Sequence, residues 1–196
     1  MTLRQIRLIL WSLVAAAAIA ATVIFVVFPP ANPVGSGLGG GDYALVDMKG
    51  QPVDETMLTG HPSLLFFGYT HCPDVCPTTL AEMAAWFEDL GDEAKDLRGI
   101  FVTIDPERDT PEMLDQYVSW VGDRVTGVSG TPGEIAKIVK AWGVTAEKVP
   151  GTDGEYTMNH TASVFLVNAQ GKFEGTIAYG EAMDTALAKI RRLVAG

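Results

Sequence analysis

Two cysteines stand four positions apart in Phe66-Phe67-Gly68-Tyr69-Thr70-His71-Cys72-Pro73-Asp74-Val75-Cys76-Pro77-Thr78, and the 196-residue chain has no others. The apolar run ending at Tyr69 reads as a buried strand, and helix-forming composition begins near Pro77. The pair therefore falls in a strand-to-helix turn. Backbone N–H groups and the helix dipole favour a thiolate over a thiol there. A thiolate is both a nucleophile and a metal ligand, so two chemistries are open: a redox-active disulfide, or a metal centre.

Thiol–disulfide oxidoreductases of the strand–turn–helix kind carry two residues between their cysteines. Here there are three, Pro73, Asp74 and Val75. The wider loop still closes a disulfide, but it also lets two sulfurs converge on one ion. Two thiolates leave a coordination position open, and an imidazole would complete a soft S₂N set that suits copper. Three histidines are available. His61, in Gly60-His61-Pro62, reads as a solvated turn residue. His71 adjoins Cys72, which turns its side chain away from that sulfur's partner. His160 precedes the apolar segment Ser163–Asn168, and in a thioredoxin-like sheet the turn before that strand faces the cysteine turn. His160 is the better placed ligand, but on the residues alone a hydrogen-bonded structural histidine is an equal reading.

Strands and helices alternate along the chain from Asp42 onward. Tyr43–Asp47 and Gln51–Val53 flank a Lys49-Gly50 turn and predict a hairpin. Ser63–Tyr69 and Gly99–Ile104 predict buried strands. Thr78–Leu90 predicts a helix with Leu80, Met83, Ala84, Phe87 and Leu90 on one stripe. Pro111–Trp120 and Thr131–Trp142 each begin with a cap followed by proline, Thr110 or Asp109 in the first and Thr131 in the second. Ser163–Asn168 and Lys172–Ala178 predict a second hairpin, and Met183–Val194 a closing amphipathic helix. This order predicts an α/β sheet covered on both faces. Trp86, Trp120 and Trp142 are expected to be packing residues. Asp105 sits at a strand end, where a turn and a cap are the expected roles, and Arg108 is placed to pair with Asp109. Asp74 is expected to be exposed.

Three blocks carry a resemblance: FFGYTHCPDVCPTTL over Phe66–Leu80, TIDPERDTP over Thr103–Pro111, and NHTASVFLVN over Asn159–Asn168. In order and spacing the chain resembles the Sco/SenC family of copper chaperones from about Gly41 to its C-terminus. The resemblance implies a thioredoxin/peroxiredoxin-like domain with an added N-terminal β-hairpin. It implies a copper ion on Cys72, Cys76 and His160, with no catalytic residue beyond the redox-active pair. It implies a role in assembling the copper centre of cytochrome c oxidase subunit II, with a periplasmic thiol reductant or a copper donor as further partners. The alternative it carries is a thiol–disulfide oxidoreductase that reduces the oxidase subunit or senses redox state. One departure stands out: Asn159 occupies a position that is often acidic in such proteins. A carboxylate there would orient the imidazole and raise its basicity. Asn159-His160-Thr161 also matches a glycosylation sequon, read as accidental in a site expected to be buried.

The extremities bound the setting. Leu8–Phe28 contains no charge and no proline, and about 20 apolar residues suffice to cross a bilayer as a helix. Arg4 and Arg7 precede it, and positive charge stays in the cytoplasm. The expected organisation is a cytoplasmic stub over 1–7, a transmembrane anchor over 8–28, a flexible Pro/Gly/Ser linker over 29–41, and a domain over 42–196 on the periplasmic side of the inner membrane. A cleaved signal peptide is the rival, but Val23–Phe28 continues the apolar run past the small residues of Ala15–Ala21. Without Arg4 and Arg7 the chain has 12 basic residues against 24 acidic ones. That balance excludes nucleic acid as a partner, since cationic contacts to phosphate drive such binding.

Overall fold

The computed structural model describes residues 37–152 and 154–196, with Arg4, Gln5, Arg7, Leu10, Trp11 and Val14 in helical turns near the N-terminus. The chain divides into two units, Met1–Gly37 and Leu38–Gly196. The expected anchor over 8–28 lies largely outside the described residues. Among those described, no helix is long and apolar enough to cross a membrane. The second unit reaches back into the expected linker: the Gly39 N–H donates to the Ala141 carbonyl at 2.9 Å, and Leu38 packs against the core.

The second unit is built on a seven-stranded sheet. Its strands are β1 (Leu45–Asp47), β2 (Pro52–Val53), β3 (Ser63–Gly68), β4 (Arg98–Thr103), β5 (Val125–Ser129), β8 (Val164–Val167) and β9 (Phe173–Ile177), in spatial order β2-β1-β5-β4-β3-β8-β9. Its helices are α1 (Val75–Leu90), α2 (Pro111–Val118), α3 (Pro132–Ala141) and α4 (Met183–Ala195). β3 lies between β4, which runs parallel to it, and β8, which runs antiparallel. A strand buried on both faces needs apolar side chains on both, and Leu64, Leu65, Phe66 and Phe67 are all fully buried. Each such side chain stabilises the fold by roughly 1.5–3 kcal/mol. The β3-α1-β4 crossover and the β8-β9-α4 unit around it make the thioredoxin-like core.

The two proline-led helices start where their sequences predict. The Thr110 hydroxyl accepts the Met113 N–H and the Thr131 hydroxyl accepts the Glu134 N–H, each at 3.3 Å. The predicted hairpins form as β1–β2 and β8–β9.

Four expectations need correction. Helix α1 begins at Val75, before Pro77, so Cys76 belongs to its first turn rather than to the loop. Proline lacks an N–H but is tolerated at the start of a helix, so Pro77 does not delay it. The sequence missed β5 and a separate two-stranded sheet of β6 (Ala146–Pro150) and β7 (Tyr156–His160). β6 is mostly exposed and carries no apolar alternation, while β7 does alternate, Tyr156, Met158 and His160 inward against Thr157 and Asn159 outward, a period-two signal over only five residues. Trp86 and Trp142 are core residues, whereas Trp120 is 55% exposed. Arg108 pairs with Asp105, not Asp109.

Candidate metal centre

The centre assembles at the C-terminal end of β3. After Gly68 the chain turns, with the Cys72 N–H on the Tyr69 carbonyl at 3.3 Å, and enters α1 through Asp74 at the N-cap. The first N–H groups of a helix have no partner inside it. That of Cys76 donates to Cys72 Sγ at 3.4 Å, so this sulfur takes the place of a capping oxygen. Cys76 itself is fully buried and Cys72 is partly exposed.

The two thiols differ in acidity. The side-chain hydrogen bond from Cys76 holds the Cys72 thiol down, to about 4, against the effect of its own burial. The N–H groups of Cys76 and Asp74 and the His160 ring add to that effect. The same hydrogen bond and then burial push Cys76 well above the usual thiol range. The pair therefore shares one proton, which stays on Cys76. Burial also pushes the Tyr117 phenol up, and the negative charge of the nearby sulfurs adds to it.

His160 comes from the last residue of β7. Its Nδ1 lies 3.0 Å from the Thr161 carbonyl oxygen. A carbonyl only accepts, so Nδ1 carries the proton and Nε2 presents its lone pair. That Nε2 lies 3.5 Å from Cys76 Sγ. The ring packs edge-on against Tyr69 and Phe66, with centroids 5.8 and 6.1 Å away. Cys72 Sγ, Cys76 Sγ and a His160 ring nitrogen all lie within 4.8 Å of one another. Among the described residues this is the one group of three or more such side chains able to hold a metal. Its donors are two sulfurs and one imidazole, the soft set that fits copper, with further positions open.

The arm that carries His160 is fastened to the β4–α2 loop. Arg108 is ion-paired with Asp105, donates to the Tyr156 carbonyl at 3.1 Å, and lies 3.6 Å above the Tyr156 ring. The Tyr156 hydroxyl donates to Asp105 at 2.8 Å, and Lys148 to Glu107 at 2.8 Å. Asp109, fully buried, accepts the Thr70 N–H at 3.0 Å and the Thr70 and Thr103 hydroxyls at 2.6 Å. These two carboxylates position the site, and sequence reasoning did not separate their roles. Only the side of the loop each faces distinguishes them.

His61 is an exposed turn residue outside the cluster, and His71 is likewise exposed and outside it. Asp74 is exposed as expected. Asn159 is exposed too, since successive strand residues face opposite sides. The outer partner of the imidazole is the Thr161 carbonyl, so the sequon asparagine is not buried in the site.

A Cys-x₃-Cys turn closed over by an imidazole, on a thioredoxin-like core, defines a domain with a dithiol–imidazole centre. Residues 33–195 match the SCO1/SenC family, and the chain belongs to it. It is 35% identical over 136 residues to the SCO2-like protein of Rickettsia felis, covering 68% of this chain and 66% of that one. The chain thus spans just under two thirds of that relative's length. Its fold is similar to ScoI of Bradyrhizobium japonicum with copper bound, at 42% identity and TM-score 0.72, covering 79% of this chain and 98% of that one. It also shares its fold with BsSco, a protein with a disulfide switch from the Sco family of cytochrome c oxidase assembly proteins, at 23% identity, TM-score 0.63, and 82% and 95% coverage.

Proposed function

We propose that this chain is a copper metallochaperone that holds one copper ion on Cys72, Cys76 and His160 and assists assembly of the copper centre in subunit II of cytochrome c oxidase. The observation that carries this reading is the convergence of the three ligand atoms within 4.8 Å. Family membership and the copper-bound relative support it. The Cys72 thiolate and the Nε2 lone pair of His160 are ready to donate. Cys76 loses its proton when the metal arrives, as a metal-bound thiol must. Three protein ligands leave room for an acceptor thiolate to approach before the donor lets go, which is the physical requirement for transfer. Copper is here the cargo.

In this reading the 8–28 segment anchors the protein in the inner membrane and the 38–196 unit works on the periplasmic side. Sharing one membrane with the oxidase raises the effective concentration of the two partners. The test is copper titration of the reduced full-length chain beside three variants. Cys72→Ser and Cys76→Ser should abolish tight binding, and His160→Ala should weaken it or change the charge-transfer spectrum. Unchanged stoichiometry and spectrum in Cys76→Ser would sink the assignment.

A second reading, a thiol–disulfide oxidoreductase, is favoured by one observation: a thiolate at Cys72 beside a buried thiol at Cys76 is the arrangement of a nucleophile and its resolving partner. Rapid turnover of a generic disulfide substrate, unaffected by His160→Ala, would promote it over the chaperone.

A further inference from the structure

Resting on the copper reading, we infer that His71 is the first-contact ligand for incoming copper, a surface imidazole that takes the ion and passes it to its neighbour Cys72. His71 lies outside the three-ligand cluster, yet it is wired as a ligand would be. The wiring starts at Asp109, whose carboxylate is fully buried and only accepts hydrogen bonds when ionised. The Thr70 hydroxyl has one proton, and it lies 2.6 Å from Asp109 Oδ1. With that proton committed, Thr70 Oγ1 is an acceptor towards His71 Nδ1, 3.0 Å away. Nδ1 therefore carries the ring proton, and the carboxylate 3.8 Å from it favours the same tautomer. The ring is thus held through Nδ1 by a hydroxyl that is itself anchored on a carboxylate, and an outer partner on one ring nitrogen is the usual second half of a metal-ligating histidine.

The consequence is at the other nitrogen. Nε2 is left with a lone pair and no partner among the described residues, on a side chain that is 46% exposed. His160 is held likewise, with Nδ1 at 3.0 Å from a carbonyl, while its Nε2 lone pair faces Cys76 Sγ at 3.5 Å. The difference is depth. Of the three cluster ligands Cys76 is sealed, and Cys72 is the sulfur that solvent reaches. An ion arriving from outside meets Cys72 or His160 before Cys76. His71, next to Cys72 in the chain, lines a shallow bowl of about 330 Å³ with Thr70, Met113, Gln116 and Tyr117. Met113 is 37% exposed and offers a thioether, a second soft donor. The exchange needs no redox step. A bond from copper to Nε2 replaces one to the donor, and a bond to the Cys72 sulfur then replaces that one.

The experiment separates capture from final binding. The reduced full-length chain is mixed in a stopped-flow instrument with copper(I) held by a coloured chelator, and loss of the chelate colour is followed. End-point copper is read first: if the unmodified chain takes none, the copper reading itself fails. Given an end point of one copper, His71→Ala should load about tenfold more slowly and still reach that end point, the loss of one ligand interaction in the rate-limiting exchange. His61→Ala, an exposed histidine elsewhere, should load at the unmodified rate. Loading of His71→Ala at the unmodified rate overturns the proposal. If that variant does not fold, ring ¹H–¹⁵N correlation spectra of the unmodified chain decide. A His71 ring protonated on Nδ1, with Nε2 responding to the first additions of silver(I), supports it. A ring protonated on Nε2, or one indifferent to silver, overturns it.

Discussion

Gly68→Ala tests whether the packing under the sulfurs shapes the centre. Gly68 is the last residue of β3, and its backbone lies outside the left-handed region that favours glycine. An alanine therefore meets no backbone obstacle, and by restricting the unfolded chain it would by itself add about 0.4–1 kcal/mol of stability. The obstacle is space. A Cβ at this position would lie 2.8 Å from Cys76 Sγ and 2.8 Å from Phe101 Cε2. Ordinary contact begins near 3.4 Å, so each neighbour must give by about 0.6 Å. Neither has room, since Cys76 and Phe101 are both fully buried. Forcing a methyl into such a core costs about 1–3 kcal/mol. The net loss should be centred on about 1.3 kcal/mol, roughly a tenfold drop in the ratio of folded to unfolded chain. The displaced sulfur is also a ligand with His160 Nε2 at 3.5 Å, so copper affinity should fall as well. The assay is urea unfolding of the reduced apo-protein, paired with competition for copper(I) against a chelator. Gly133→Ala is the control. Its Cβ would meet nothing nearer than Thr131 Oγ1 at 4.0 Å, and it lies in a helix, so it should be neutral or stabilising. A Gly68→Ala protein as stable as the parent, with unaltered copper affinity, would refute the reasoning.

Cys72, held down to about 4, should alkylate at a nearly constant rate from about pH 5 to pH 8, while Cys76, held as a buried thiol, stays unreactive in the folded chain; mass-mapped iodoacetamide labelling checks this. The folded value of Cys72 lies below its ordinary 9.0, so its contribution to stability is complete above that pH and is lost as pH falls towards about 4. Arg108→Ala should cost about 3 kcal/mol in urea unfolding, because it strands the buried Asp105 carboxylate, and it should weaken copper binding by freeing the β6–β7 arm that carries His160. Asn159→Asp should change copper affinity by less than about fivefold, the effect of one solvated surface charge. A change of about 10–100-fold would show instead that residue 159 acts on the imidazole as an outer partner does.

The sequence by itself determined which atoms do the chemistry and most of the frame. Cys72 and Cys76 lie four apart in one continuous strand–turn–helix segment, so local propensity was enough to bring their sulfurs together at a helix N-terminus. The proline-led helices were legible because a cap and its first turn are contiguous in sequence. β3 was legible because a strand buried on both faces reads as a continuous apolar run, here residues 64–67. The tertiary structure decided the rest, wherever the deciding partner is distant along the chain. His160 meets Cys76 across 84 positions, on a five-residue strand whose period-two alternation is short and whose partner strand β6 is mostly exposed. That arm is placed by Arg108, Asp105 and Tyr156, long-range contacts that residue types alone do not specify. Asp105 and Asp109 are the same residue type in one short loop, yet one fastens the arm and the other the cysteine turn. Their division of labour follows from which way each faces once the loop is folded over the end of the sheet.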